Sequence, residues 1–351
     1  MVLENSRPRR RDVGVGRAVG IVGTGMSVPE RRLTNFDLAQ MVDTSDEWIR
    51  TRTGIVERRI VRPDQTTSDL ATAAAEQALS RADLSPSQVD FVLVATVTPD
   101  MIFPSTASLV QHRLGARRAG AADVGVACSG FIYALAMGAQ FIATGLYETV
   151  LVIGAECMSH LVDWTDRSTC VLFGDGAGAV VLQPVPPGYG LLGIDLGSDG
   201  SSADHLKVVD DYPANPQAAK FGRHPYIRMN GNEVFKFAVR IQGEACERVL
   251  HRCHLRPAEV DWFIPHQANI RIIDAAAKRL GLPPEKVFVN VHRYGNTSAA
   301  SIPIALAEAD EQGLLRRGDN VLMVGFGAGL TWGAALVRWS QGKEGTGKAY
   351  G

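Results

Sequence analysis

The chain repeats part of its own sequence at a spacing of 171 residues. Three pairs of segments are separated by this interval: 84–91 and 255–262, 134–136 and 305–307, and 150–154 and 321–325. The first pair reads Leu-Ser-Pro-Ser-Gln-Val-Asp-Phe and Leu-Arg-Pro-Ala-Glu-Val-Asp-Trp, and both copies lead into an apolar run. Three coincidences at one interval indicate two copies of one α/β unit, in which strands alternate with helices. A chain of 351 residues is also longer than one hydrophobic core usually serves.

The hydrophobic pattern predicts the layers of such a unit. Continuous apolar runs, typical of strands buried on both faces, occur at 91–97, 150–153 and 321–324. Helical spacing predicts helices at 69–82, 131–143, 231–250, 270–280 and 302–312. The segment 188–226, with many Gly, Ser, Asp and Pro residues, is predicted to be mostly loop between the halves. The predicted class is therefore α/β, with two duplicated halves in layered α/β/α/β/α packing.

The two halves are predicted to span residues 18–186 and 187–341. Residues 1–17 and 342–351 are expected to be flexible tails. The basic opening is followed by no apolar segment, and no later stretch offers about eighteen uninterrupted apolar residues, so neither export nor a membrane partner is predicted. Five cysteines without regular spacing suit a reducing compartment, and we expect a cytoplasmic protein. A formal net charge of −1 gives no global reason to expect a nucleic-acid partner.

Cys128 stands between an apolar stretch, 121–127, and the predicted helix 131–143. In that position the free N–H groups of the first helical turn point at the sulfur, which favours a thiolate and therefore nucleophilicity. An isolated cysteine beside an apolar helix is also commonly an inert core residue. Cys128 alone therefore leaves both interpretations open.

Two further polar side chains stand where apolar segments end. His266 follows the strand-like run 260–264, and Asn296 lies in Tyr-Gly-Asn-Thr-Ser. Singly, they could be a core histidine and a turn asparagine. At the 171-residue spacing Cys128 falls opposite Ala299, just after Asn296, so a pseudo-twofold arrangement would bring two matching helix entrances together. Cysteine, histidine and asparagine in these contexts together indicate nucleophilic catalysis.

The glycine-rich segments predict no cofactor, and no metal site is predicted. Gly23-Thr24-Gly25 lacks the third glycine of a dinucleotide fingerprint, with Val28 in its place. The segment 174–178 lacks the Gly-Lys-Ser/Thr ending of a phosphate loop, and close packing near the site is the better interpretation of its glycines.

From about Gly20 to Trp339 the chain resembles the β-ketoacyl-acyl-carrier-protein synthase III family of condensing enzymes, which have a thiolase-like fold and start fatty-acid elongation. Seven segments carry the resemblance, in order and spacing: 43–49 (Asp-Thr-Ser-Asp-Glu-Trp-Ile), 52–55 (Arg-Thr-Gly-Ile), the cysteine segment, 173–178, 265–269, 295–298 and 325–329.

The resemblance implies an acyltransferase whose catalytic residues are Cys128, His266 and Asn296. A short acyl group passes from acyl-CoA, a substrate, to Cys128. It then condenses with malonyl-acyl-carrier-protein with loss of CO2. His266 and Asn296 would stabilise the enolate, and the backbone N–H groups of Cys128 and Ala328 would form the oxyanion hole. Many relatives have glycine at position 328, but a backbone donor survives an added methyl group where φ is negative.

The resemblance also implies two binding surfaces. Residues assigned to CoA are Thr44, Trp48, Arg52, Arg167 and Asn232, with Trp48 stacking on the adenine. Residues assigned to the acidic acyl carrier protein are Lys236, Arg271, Lys278 and Arg279. Without the resemblance, these charges could equally be a solvated helix face, and Arg167 a solvated loop charge.

Phe103 could be a buried loop aromatic and nothing more. By resemblance it lies where the family's homodimer inserts a side chain across the interface to close the partner's acyl pocket. A phenylalanine there would act as a floor that admits acetyl or short branched primers and excludes long chains.

Two alternative functions stay open at this point. A relative from specialised metabolism could transfer an acyl group to oxygen or nitrogen, or condense it with an unusual acceptor. A non-catalytic subunit of a ketosynthase heterodimer is a second alternative, although such subunits commonly lack the nucleophile that Cys128 supplies.

Overall fold

Two β-sheets with matching strand order form the framework of the protein. The computed structural model describes residues 16–209 and 224–342. The first sheet has the order β1 (Val19–Ser27), β7 (Asp175–Pro184), β6 (Val150–Cys157), β4 (Phe91–Ala95) and β5 (Gly120–Val124). The second has the order β8 (Gly190–Ser198), β13 (Thr331–Arg338), β12 (Asn320–Gly327) and β11 (Trp262–Pro265). In this order, the first two pairings of each sheet are antiparallel and the third is parallel. The first sheet has one strand more, β5, which is parallel to β4.

The described part of the chain also contains ten α-helices and two small two-stranded sheets. The helices are α1 (Asn35–Ala39), α2 (Asp46–Thr53), α3 (Thr67–Arg81), α4 (Thr106–Leu114), α5 (Gly130–Ala143), α6 (Arg167–Cys170), α7 (Gly231–Arg252), α8 (Ile270–Leu280), α9 (Val291–Tyr294) and α10 (Ser301–Glu311). The small sheets pair β2 (Arg32–Thr34) with β3 (Glu57–Arg59), and β9 (Leu206–Val209) with β10 (His224–Met229), antiparallel in both cases. The five helices predicted from the sequence are confirmed.

The elements stack in five layers. Helices α3 and α4 cover the outer face of the first sheet, and α7 and α8 cover the outer face of the second. Helices α5 and α10 lie between the sheets, where their small and apolar side chains join both inner faces in one core. The predicted α/β/α/β/α packing and thiolase-like fold are confirmed.

Backbone conformation repeats at the spacing found in the sequence. Among the described residues other than glycine, φ is positive at Asp83 and His254, which are 171 residues apart, and at Ala127 and Ser298, also 171 apart. Each member of the second pair is the first residue of the turn that leads into a central helix. Because a positive φ is uncommon outside glycine, its recurrence at this interval supports duplication independently of residue identity.

The segment between the halves differs from the prediction. Residues 188–226 were expected to be mostly loop, but they contain β8, β9 and the start of β10; residues 210–223 lie outside the described part. The glycines of β8 mark close packing: an added Cβ at Gly197 would lie 2.0 Å from the Trp332 ring. Composition alone cannot separate such a glycine from a turn glycine.

The two predicted tails lie mostly outside the part of the chain that the structure describes. Of the two predicted tails, residues 1–15 and 343–351 lie outside the described residues. Arg17, at the edge of the first, donates hydrogen bonds to the carbonyls of Ile142 and Tyr147. The predicted boundary between residues 186 and 187 lies in the connection from β7 to β8. Within the described ranges, no helix combines the length and the apolar character needed to cross a membrane.

Candidate active site

Cys128 lies in the short turn Ala127–Ser129, directly before α5. Its side chain is 7% exposed and lines a narrow pocket of about 100 Å³. The pocket is otherwise lined mostly by apolar side chains, together with His266 and Asn296. The three residues singled out from distant parts of the sequence therefore meet at one cavity.

The end of β12 packs against the backbone of Cys128. A Cβ on Gly327 would lie 2.7 Å from the Cys128 nitrogen, closer than real Cβ atoms approach, so only glycine fits there. Ala328 follows in the turn after β12 and is not among the residues with positive φ. Its methyl group is therefore compatible with the backbone, and the N–H of Ala328 can serve as the donor expected at this position.

The electrostatics of Cys128 differ from the sequence-based expectation. Helix-entrance placement was expected to favour the thiolate, but burial raises the pKa of the thiol from its ordinary value of 9.0 to about 12. A hydrogen bond with the Ser298 side chain opposes the rise, and the negative charge of Glu156 adds to it. The resting side chain is thus a neutral thiol, because desolvation outweighs the helix N-terminus.

His266 follows β11 and is held by Ser301, the first residue of α10. Its Nδ1 lies 2.5 Å from Ser301 Oγ, and its backbone N–H donates to the Val324 carbonyl. Because the Gln267 N–H donates to Ser301 Oγ at 3.4 Å, the serine proton is free to point at Nδ1. When the serine donates to Nδ1, the hydrogen of the neutral ring stands on Nε2, the nitrogen left for the pocket.

The environment keeps His266 neutral. The ring is 1% exposed, and burial lowers its pKa to about 3. Phe326 meets the ring edge-to-face, with centroids 5.3 Å apart, and excludes water from that side. His266 is therefore a hydrogen-bond donor and a poor base at neutral pH. Sequence reasoning gave no role to Ser301 or Phe326. Phe326 lies in the segment 325–329 that carries the resemblance, but no local pattern marks Ser301.

Asn296 is oriented by its own turn. Its Oδ1 accepts from the Ser298 N–H at 2.9 Å, and its backbone bonds to Leu172 and Gly174. Since Oδ1 is occupied, the amide NH2 is the group free to act in the pocket. Asn296 and His266 thus present two neutral N–H donors beside Cys128.

The residues assigned to CoA form a cluster on the surface around α2. The Trp48 ring lies 5.0 Å from the Arg167 guanidinium and 5.7 Å from that of Arg52, and both arginines are exposed. Thr44 Oγ1 is buried without a hydrogen-bond partner. Asn269, which lines the pocket, donates to the Arg52 carbonyl and so ties this cluster to the pocket.

Asn232 and the predicted docking residues lie on α7 and α8. Asn232 is exposed next to Gly231, which lines the pocket. Arg271 stacks on Phe235, another lining residue, and Lys236 is exposed with a 2.7 Å ion pair to Glu233.

Lys278 and Arg279 lie at the far end of α8. Lys278 is exposed. Arg279 instead makes a two-pronged ion pair with Glu247, with both N–O distances 2.9 Å, which raises the pKa of its guanidinium. Of the four cations assigned to docking, Arg279 is thus the one most fully engaged within the chain.

Phe103 is not a buried aromatic. It is 83% exposed, beside Ile102 at 75% and Met101 at 45%. The segment follows β4. The strand next to β4 is β5, and among the described residues no strand pairs with its other side. An apolar cluster beside an open sheet edge is typical of a surface that another chain covers.

Comparison with known proteins agrees with this geometry. Residues 122–200 match the family model described as 3-oxoacyl-[acyl-carrier-protein] synthase III, and residues 250–339 match the model of its C-terminal part. A β-ketoacyl-[acyl-carrier-protein] synthase III of Symbiobacterium thermophilum is 56% identical over 93% of this chain and 99% of its own length. The chain belongs to the 3-oxoacyl-acyl-carrier-protein synthase III family.

Solved structures show the same relationship. The 3-oxoacyl-[acyl-carrier-protein] synthase III of Aquifex aeolicus is 52% identical, with a TM-score of 0.86 over 92% of this chain and 100% of that one. The priming β-ketosynthase of the R1128 polyketide pathway is 36% identical, with a TM-score of 0.87 over 95% of this chain and 99% of that one. The chain is thus similar both to this synthase III and to a priming ketosynthase of a polyketide pathway, and its identity is higher to the first.

Proposed function

We propose that this synthase III transfers a short acyl group from acyl-CoA to Cys128 and condenses it with malonyl-acyl-carrier-protein, giving 3-oxoacyl-carrier-protein and CO2. The observation that carries the proposal is the pocket in which a cysteine faces two neutral hydrogen-bond donors, His266 and Asn296. Each half of the reaction uses a different part of that pocket.

In the first half-reaction the sulfur of Cys128 forms a bond to the acyl carbon, and the carbon–sulfur bond to CoA breaks. A thiol suits this exchange because sulfur is both a good nucleophile and a good leaving group. The carbonyl oxygen becomes an oxyanion, which the backbone N–H groups of Cys128 and Ala328 would stabilise. The close approach of Gly327 to Cys128 brings these two backbones together.

In the second half-reaction malonyl thioester loses CO2, and the electron pair of the broken bond becomes an enolate. The developing charge lies on the thioester oxygen, where His266 Nε2–H and the Asn296 amide would donate to it. Neutral donors suit this step because they stabilise the charge without protonating the enolate. The enolate then attacks the acyl carbon and expels the Cys128 sulfur. The proposed chemistry requires no cofactor, since acyl-CoA is a substrate.

Two surfaces beside the pocket would bind the two substrates. Trp48 would stack on the adenine of CoA, with Arg167 and Arg52 beside the nucleotide, and the mostly apolar pocket would take the pantetheine arm. Arg271 and Lys236, near the pocket residue Phe235, would attract an acidic carrier protein. A homodimer would cover Phe103 and the edge of β5. All five cysteines are free, which suits work in the reducing cytoplasm.

The fatty-acid role is favoured over specialised metabolism. Curated relatives named β-ketoacyl-[acyl-carrier-protein] synthase III reach 52% to 56% identity over almost their full length, and the polyketide priming enzyme reaches 36%. Both would acylate the cysteine, so the acceptor decides between them. A heterodimer subunit without activity is disfavoured by the complete Cys128, His266 and Asn296 set.

The test is intact-mass analysis after incubation with a panel of acyl-CoAs, followed by malonyl-acyl-carrier-protein. Acetyl-CoA or a short branched acyl-CoA should add one acyl mass, and Cys128→Ala should abolish the adduct. Malonyl-acyl-carrier-protein should then remove it and yield 3-oxoacyl-carrier-protein. An adduct that persists in Cys128→Ala would refute the nucleophile assignment, and an adduct that resists malonyl-acyl-carrier-protein would refute the acceptor.

A second test concerns the roles of His266 and Asn296 in the second half-reaction. His266→Ala or Asn296→Ala should keep most acylation but lose decarboxylation, because each lost donor costs on the order of 3 kcal/mol of enolate stabilisation. Equal loss of both half-reactions, in a variant that unfolds at the wild-type temperature, would contradict these roles.

A further inference from the structure

A buried carboxyl group lies behind the nucleophile. Glu156, near the end of β6, has no exposed surface, and its charge is felt by the Cys128 thiol. The two half-reactions described above give this carboxyl no role. A buried carboxylate is costly in free energy unless it is fully hydrogen-bonded.

The two oxygens of Glu156 have unequal surroundings. Oε2 accepts four hydrogen bonds from the segment after β4: from Thr96 Oγ1, Val97 N and Thr98 N, each at 3.1 Å, and from Thr98 Oγ1 at 2.7 Å. Oε1 accepts one, from Ser298 Oγ at 2.9 Å. Oε2 is therefore saturated, and Oε1 is the oxygen with room for a proton.

Ser298 connects Glu156 to the nucleophile. Its hydroxyl donates to Oε1, and its turn, Ser298–Ala300, packs against the turn Ala127–Ser129 that carries the Cys128 thiol. The same hydroxyl lowers the pKa of that thiol, which is the effect of a hydrogen bond to the sulfur. A hydroxyl has one hydrogen, so it cannot donate in both directions at once. Two arrangements satisfy every group: a thiol that donates to Ser298 while Ser298 donates to a carboxylate, or a protonated carboxyl that donates to Ser298 while Ser298 donates to a thiolate.

We propose that Glu156 is the proton acceptor for Cys128, with the Ser298 hydroxyl as the relay between them. The inference deepens the proposed function, since it rests on Cys128 as the nucleophile. The exchange moves one proton over two hydrogen bonds and leaves the net charge of the pocket unchanged. It therefore creates a thiolate without placing two negative charges side by side in a region of low dielectric.

The proton balance closes over the whole reaction. In acylation the thiol proton passes to Ser298, and the serine proton passes to Glu156 Oε1. The thiolate forms the new carbon–sulfur bond, and CoA leaves as a thiolate that takes a proton from water. In condensation the enolate expels the Cys128 thiolate, and the proton stored on Glu156 returns to it through Ser298. Glu156 is thus neutral while the acyl-enzyme meets the negatively charged malonyl group.

His266 is less suited to this task. Its Nδ1 is occupied by Ser301, and burial lowers the pKa of its ring to about 3. The titratable groups coupled to Glu156 are Cys128 itself and Cys157, whose pKa burial raises to about 12. Burial likewise raises the pKa of Glu156, which makes its carboxylate a better proton acceptor than a solvated one.

The test measures the alkylation of Cys128 by iodoacetamide as a function of pH, followed by intact mass with Cys128→Ala as the blank. This reaction needs no acyl-CoA, so its outcome does not depend on the proposed function. An internal proton exchange gives a thiolate fraction that is independent of pH, and the wild-type rate should be flat between about pH 6 and 8. A thiol without a relay should instead react about tenfold faster per pH unit.

Glu156→Gln keeps the shape of the side chain, and its amide can still donate to Ser298. We expect alkylation at pH 6.5 to fall by about tenfold or more and to rise with pH, overtaking the wild type at high pH because the repelling charge is gone. If Glu156 only repels the thiolate, the variant would instead react faster at every pH. An equal or faster rate at pH 6.5 therefore overturns the relay.

Ser298→Gly provides a second test that keeps the carboxyl group. Glycine tolerates the positive φ of 49° at this position, so the hydroxyl is removed without backbone strain. The flat part of the profile should disappear, with the rate still low at high pH since Glu156 keeps its charge. Ala127→Gly makes the matching backbone change in the other half and should behave as the wild type. A flat profile in Ser298→Gly would refute the relay even if Glu156→Gln does not fold. If the wild type accepts no acyl group, the proposed function is refuted, but the alkylation profiles still test the relay.

Discussion

Replacement of Ser301 by alanine tests how the structure fixes the protonation of His266. In the wild type the serine hydroxyl lies 2.5 Å from Nδ1, and both side chains are almost fully buried. Alanine leaves Nδ1 without a partner in a place that water does not reach. Leaving one buried polar group unpaired costs about 1–3 kcal/mol of folding free energy.

The same change should affect one half-reaction only. Without the hydroxyl the ring can rotate and can place its hydrogen on Nδ1, and Nε2 then becomes an acceptor that repels the enolate oxygen. We expect decarboxylation to slow about tenfold, which corresponds to about 1.4 kcal/mol and is less than the loss for His266→Ala. The rate of Cys128 acylation should stay within about twofold of the wild-type rate, since the Ser301 side chain hydrogen-bonds with neither Ser298 nor Glu156, the two residues of the proposed relay.

The assay follows release of labelled CO2 from malonyl-acyl-carrier-protein by pre-acylated enzyme in a single turnover, beside the rate of acyl loading. Ser68→Ala is a matched control, because Ser68 is a fully buried serine that bonds to Asp100 on the outer layer. It should lose stability but keep decarboxylation. Unchanged CO2 release in Ser301→Ala, or an equal loss of loading, would refute the tautomer argument.

Three further predictions follow from the site and its surroundings. Because burial lowers the pKa of His266 to about 3, the ring stays neutral in the folded protein, and decarboxylation should show no inflection near pH 6.5. Between pH 6.5 and 3 the unfolded chain binds a proton at this histidine and the folded protein does not, so the free energy of unfolding should fall as the pH drops through this range. The fall should be smaller in His266→Gln. Urea titrations at each pH measure both. Arg271→Glu should raise the KM for malonyl-acyl-carrier-protein far more than that for acyl-CoA, with Lys278→Glu for comparison, and added salt should erode the wild-type advantage; equal effects on both substrates would exclude docking there. Phe103→Thr should admit longer acyl-CoAs while acetyl loading is unchanged, and an unaltered chain-length profile by intact mass would show that Phe103 is not the floor of the pocket.

The sequence alone determined the plan of the molecule. The 171-residue repeat predicted two halves, and the apolar runs at 150–153 and 321–324 became the central strands β6 and β12. These signals are local or periodic, so they survive without knowledge of the fold. The same holds for the helix entrances that carry Cys128 and Asn296, since each is marked by the change from an apolar segment to a helix. The strand β8 was missed because its glycines serve packing against Trp332, which only the assembled sheet explains.

The tertiary structure decided the chemistry of the individual groups. Local position at a helix entrance predicted an acidic thiol at Cys128, yet burial raises its pKa to about 12. Desolvation is summed over every neighbour in space, most of which are distant in sequence, and no local pattern encodes it. Ser301 holds His266 across 35 residues, and Ser298 reaches Glu156 across 142. The first contact forms within the second half, and the second forms only when the two halves close on each other. This is why the sequence could locate the nucleophile but could not show where its proton goes.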